Sequence, residues 1–119
     1  MDKVELKLRT KKYALRIIKL VRALPKDFIG RAIGNQLLRS GTSVAANYRA
    51  ACRSRSKAEF IAKIGVVIEE ADESIFWIEL IIESGLINKK LVESLLKESD
   101  EICAIMIATC NSTRKRLKS

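Results

Sequence analysis

Between residues 36 and 83, two runs of helical periodicity meet at a single turn. In the first run Leu37, Gly41, Val44, Tyr48 and Ala51 recur close to the 3.6-residue period of an α-helix. In the second, the stripe is Phe60, Ile64, Val67, Ala71, Ile75, Ile78 and Ile82. Ser56-Lys57-Ala58-Glu59 lies between them and reads as a capping box, in which Ser56 and Glu59 satisfy two orphan backbone donors. The pattern predicts an α-hairpin. Its remaining apolar surface must then be covered by helices from the rest of the chain.

The flanking sequence supplies two such helices. TKKYALRIIKLVRAL predicts a helix over 10–24, with Tyr13, Ile17, Leu20, Val21 and Leu24 on its apolar arc. Pro25 breaks it, because proline lacks a donor and disfavours helix in the residue before it. The hairpin helices are expected at 27–53 and 57–84, with Gly85 as the left-handed residue that ends the second. Small residues from Gly41 to Asn47 would let a neighbouring helix approach closely, which offsets the cost of helical glycine. Asn88 is placed to cap a last helix over 88–111. Its stripe is Leu91, Leu95, Ile102, Ile105 and Thr109, widened by Val92, Leu96, Cys103, Met106 and Cys110. An arc that broad exceeds what one hairpin needs to cover, and points to a subunit interface. Residues 1–9 read as a frayed lead-in and 112–119 as a disordered basic tail. One Pro and few aromatic residues leave little material for strands or long loops. The expectation is one domain over 1–119: all-α, an up-down-up-down antiparallel four-helix bundle.

Charge is distributed unevenly. The net charge is +9, yet residues 1–57 carry +12 and residues 58–119 carry −3. The first helix has no acid from Thr10 to Leu24, and Arg9, Lys12, Arg16 and Lys19 line the arc opposite its apolar face. A solvated face usually alternates sign, because like charges one turn apart repel by a few tenths of a kcal/mol. A single-sign stripe therefore favours a binding role. Arg49, Arg53, Arg55 and Lys57 cluster at the hairpin turn, where the helix dipole accounts for one or two cations but hardly four. Arg9, Lys12, Arg16, Lys19, Arg49, Arg53 and Arg55 are the candidate nucleic-acid contacts. They suit phosphates, with strong salt dependence and little sequence readout. The alternative occupant of this face is an acidic protein surface, either a second subunit or a larger enzyme.

Other chemistries find little support. There is no His, and Cys52, Cys103 and Cys110 form no CxxC pair, so a zinc site and a catalytic His are both ruled out. The cysteines lie on or beside apolar stripes as core residues; Cys52, beside Arg49, Arg53 and Arg55, comes nearest to a reactive thiol. An odd count with no signal peptide suggests a reduced, cytoplasmic protein. No apolar stretch approaches the roughly twenty residues of a membrane span. The glycines at 30, 34 and 41 match neither phosphate-loop spacing, so no cofactor is expected. Glu69, Glu70, Asp72 and Glu73 make the third helix the negative element, but without converging partners they predict no metal site. Counting outward from the turn sets Arg39 level with Glu70, an inter-helix ion pair to which Ser40 and Ser43 could add hydrogen bonds. Trp77 reads as a packing anchor without a partner aromatic.

These hairpin residues also carry a resemblance. Gln36, Arg39-Ser40, Ser43 and Asn47, followed by Phe60, Lys63, Glu69-Glu70, Glu73 and Trp77, resemble the four helix bundle protein family. Its founding members are encoded in intervening sequences of bacterial 23S ribosomal RNA genes. The likeness covers roughly residues 10 to 113. It implies an up-down bundle assembling as a ring-like homopentamer, whereas the expectation of a non-catalytic protein rests on the residues themselves: no His, no nucleophile elbow, no metal constellation and no cofactor loop. It also implies a distant similarity to accessory proteins of diversity-generating retroelements, which bind nucleic acid and a reverse transcriptase.

Overall fold

The computed structural model describes residues 1–118, which form four α-helices and no strand. Helix α1 (Lys3–Ala23) begins well before the expected Thr10, so the frayed lead-in is in fact its opening turns. The reason is an N-cap: the Asp2 carboxylate accepts from the Glu5 N–H at 2.8 Å. Leu6 and Thr10 then continue the buried stripe of Tyr13, Ile17 and Leu20 back toward the N-terminus. Leu24, immediately before Pro25, is extended and ends the helix.

Helix α2 (Phe28–Ala51) is capped by Asp27, which accepts from the Gly30 N–H at 2.8 Å. It stops short of Arg53, whose N–H closes a tight turn onto the Ala50 carbonyl. Helix α3 (Lys57–Glu83) starts at the expected cap, with the Glu59 N–H donating to Ser56 Oγ at 3.1 Å. The Glu59 carboxylate reaches the Arg55 N–H, at 3.4 Å, rather than that of Ser56. Gly85 takes the left-handed conformation, with φ +74°. The N–H groups of Leu86 and Gly85 bond the carbonyls of Ile81 and Ile82, the paired bonds of a Schellman motif.

Helix α4 (Lys89–Lys118) starts where Asn88 Oδ1 accepts from the Lys90 N–H. It runs past the expected end at Asn111 because Thr113 continues the stripe of Ile102, Met106 and Cys110 and is buried. The expected disordered tail is thus helical through Lys118; Ser119 lies outside the described residues. The stripe itself is rotated from the expected one. Val92 and Ser99 are buried in the core, whereas Leu91 stands 78% exposed.

The helices pack in chain order and α1 closes on α4, while the diagonal pairs keep their Cα atoms more than 8 Å apart among the described residues. The result is the expected antiparallel bundle, 51 Å long and 20 Å across. Gly41 sets the approach of α1 to α2: a Cβ there would stand 2.7 Å from Ile17 Cγ1. Midway along the core, each helix contributes one buried hydroxyl. Tyr13 Oη and Ser99 Oγ are 2.6 Å apart, and Ser74 donates to Ser40 Oγ at 2.8 Å. Burial pushes the Tyr13 hydroxyl above its usual range, while hydrogen bonds from Ser99 and Ser74 oppose that shift.

Candidate nucleic-acid interface

The chain has 23 Lys and Arg against 14 acids, so extensive ion pairing would be expected. Instead, the ion pairs of α1 and α2 among the described residues join Arg9 to Glu98 and Glu101 and Arg39 to Glu70 and Glu73. Most cations of α1 and α2 are left to solvent, and the question is which of them the fold gathers.

The stripe on α1 does not act as one line. Arg9 turns toward α4, bonding Glu98 from Nε at 2.9 Å and from Nη2 at 2.6 Å, and Glu101 at 2.7 Å. The Arg9 guanidinium holds the Glu98 carboxyl below the usual carboxylate range. Arg16 follows on the same side, donating to Ser94 Oγ at 2.8 Å. Lys12 and Lys19, further round the helix, are both exposed. The expected single face is therefore split. The antiparallel neighbour sets acids level with Arg9, a pairing that the sequence of α1 alone does not contain.

A second set converges instead. A groove of about 510 Å³ runs between α1 and α2, with Lys7 and Lys11 on one wall and Arg49 and Arg53 on the other. Lys7 and Lys11 are one turn apart on α1, and Arg53 follows Arg49 in the turn just beyond the end of α2. Thr42, Ala45 and Ala46 keep the groove open, and no carboxylate lines it. Cys52 lines it as well and is half-buried. Arg49 and Arg53 are among the expected candidates; Lys7 falls in the supposed lead-in, and Lys11 only flanks the expected arc. The missed signal is the small-residue run of α2, which faces α1. Arg55 lies apart from this groove, at the end of the bundle.

Of the hairpin residues that carry the family likeness, Arg39, Ser40, Glu70, Glu73 and Trp77 make the contacts of the α2–α3 seam. Arg39 bonds Glu70 at 2.7 Å, the expected pair, and also reaches Glu73. The Trp77 indole N–H, at 3.1 Å, and then Arg39 hold the Glu73 carboxyl below the usual range. Trp77 does have a partner aromatic: Phe76 meets it edge-on, with centroids 5.0 Å apart. It is Ser40 rather than Ser43 that hydrogen-bonds across to α3, through Ser74. The Ser43 carbonyl accepts from Asn47 Nδ2 within α2.

The model of the 23S rRNA-intervening sequence proteins matches residues 2–108. The chain belongs to that family. A solved relative from Bacteroides thetaiotaomicron, described as a protein with unknown function from the S23 ribosomal protein family, is 33% identical. That likeness covers 93% of this chain and 99% of the relative, with a TM-score of 0.86. No curated protein matches. This intervening-sequence protein thus shares most of its bundle with the solved relative. The Arg39–Glu70–Glu73–Trp77 network is the part of the family pattern that ties its hairpin together.

Proposed function

We propose that this family member is a non-catalytic nucleic-acid-binding protein that holds phosphate backbones along the α1–α2 face. The observation that carries the reading is the groove in which Lys7, Lys11, Arg49 and Arg53 converge with no carboxylate among them. Contacts of this kind neutralise phosphates and release counterions, so binding is salt-sensitive and indifferent to sequence. Lys12 and Lys19 extend the same positive surface around α1. Arg9 and Arg16 serve the α1–α4 seam instead.

The protein acts as a homo-oligomer, a pentamer by family resemblance, so that repeated weak sites bind by avidity. Val4, Leu8 and Leu15 support that part: they share one face of α1 and are 62%, 57% and 58% exposed. The same apolar strip between lysines favours the second reading, an accessory subunit docking on a nucleic-acid enzyme such as a reverse transcriptase.

Reversing Lys11 and Arg49 to Glu tests the first reading. Affinity for RNA and DNA should fall for every sequence. The slope of log affinity against log salt should flatten by roughly 0.7 to 0.9 for each phosphate that the variant no longer neutralises. Unchanged affinity and slope, with helicity intact by circular dichroism, would transfer the groove to a protein partner.

A further inference from the structure

Two helices carry a second stripe on the side away from their buried residues. Along α1, Val4, Leu8, Lys11, Leu15, Ile18 and Arg22 recur in alternating steps of four and three. Val4, Leu8 and Leu15 are exposed, and no acid occurs from Thr10 to Lys26. Along α3, Val66, Glu69, Glu73, Phe76, Leu80 and Glu83 recur in the same steps. Val66 and Phe76 are exposed, and neither Lys nor Arg occurs from Ile64 to Asn88. Steps of four and three are the repeat of a helix that packs along another helix. Apolar side chains set out in such a row on an outer face mark an interaction surface.

We infer that the outer stripe of α1 docks on the outer stripe of α3 of a second copy of this chain. The inference rests on the homo-oligomer reading above and names the two faces that meet. Charge selects the pairing. Two α1 stripes would set Lys11 and Arg22 against like cations, and two α3 stripes would oppose Glu69 and Glu83 to acids, whereas α1 against α3 is complementary. Within one copy the two helices lie diagonally across the bundle, so their outer stripes cannot meet each other. The contact is therefore heterologous: each copy offers one stripe of each kind, and successive copies join head to tail. The heights also agree. Inside one copy the Lys3 ammonium stands 5.2 Å from the centroid of the Phe60 ring, and Tyr13 hydrogen-bonds Ser74. Since α1 and α3 run the same way, Leu8 is about level with Val66, Lys11 with Glu69 and Ile18 with Phe76. A neighbour rotated about an axis along the bundle, without sliding, brings those residues together.

Light scattering on the wild type, on Leu15→Glu with Arg22→Glu, and on Glu69→Lys with Phe76→Lys tests the pairing. The wild type should assemble at micromolar concentration. Each variant alone should fall to the 13.4 kDa monomer, with its helicity intact by circular dichroism. Mixed in equal amounts, the two variants should form a dimer of one copy each and nothing larger, because one intact α1 stripe meets one intact α3 stripe. Glu69→Lys with Glu83→Lys, which leaves the Phe76–Trp77 ring pair in place, should behave as the first α3 variant does. None of these substitutions alters a residue that lines the cationic groove. Folded α3 variants that keep the wild-type mass, or a mixture that stays monomeric, overturn the inference and leave the oligomer reading standing. A monomeric wild type overturns both.

Discussion

Arg9 spans the α1–α4 seam with its side chain 24% exposed, against a Glu98 side chain that is 20% exposed. Arg39 forms a similar fork with Glu70 and Glu73 but is half exposed, so water screens it and it contributes less. The sign of the pH effect at Glu98 follows from its depressed pKa. Its carboxylate contributes stability above its unfolded pKa, about 4.3, and that contribution is lost as pH falls through the lower folded value. Glu98→Gln should therefore cost about 1 kcal/mol at neutral pH and flatten the decline in stability below about pH 4. Urea unfolding across that range checks this, and an unchanged acid limb would show the pair to be energetically silent.

At the scale of the helix, two glycines make opposite demands. Gly85 is required by its backbone, since φ is +74° and nothing lies within 4 Å of a Cβ built there. Gly41 is required by its neighbour, since the Ile17 side chain fills the space that a methyl group would need. Gly85→Ala should cost about 1 kcal/mol and leave the packing intact. Gly41→Ala should cost about 1 to 3 kcal/mol, and a smaller residue at Ile17 should recover part of that loss. Thermal melts of the singles, of Ile17→Ala, which removes both clashing Cγ atoms, and of the Gly41→Ala, Ile17→Ala double distinguish the two causes.

The same contrast shows what could be read from the sequence. Caps and periodicity located Ser56, Gly85 and Asn88, because each acts through atoms a few residues away. The Arg39–Glu70 pair followed too, since a tight hairpin fixes the register between its arms. Chain ends were harder. Leu6 and Thr113 look ordinary until α2, α3 and α4 surround them, and polar Thr10, Ser99 and Thr113 interrupt the apolar stripes they belong to. The groove was hidden for the same reason: Lys7 and Arg53 become neighbours only once α1 lies against α2.

Across the molecule, three of the four helix seams join consecutive helices, while the α1–α4 seam is the slightest and relies on polar groups. Those polar contacts bridge residues 78 to 92 positions apart. Locally connected bundles fold fast, roughly in microseconds to milliseconds, because little chain must be looped before contacts form. Here α2, α3 and α4 can zip together in that regime, and the polar seam is the last to close and the first to open. Tyr13→Phe and Arg9→Met should therefore accelerate unfolding while leaving the refolding rate nearly unchanged in stopped-flow experiments. Equal slowing of refolding would place the seam in the folding nucleus. A late-closing seam also gives α1 the shortest residence in its slot. The helix that carries half of the cationic groove would then be the part of the chain that releases and re-docks most often.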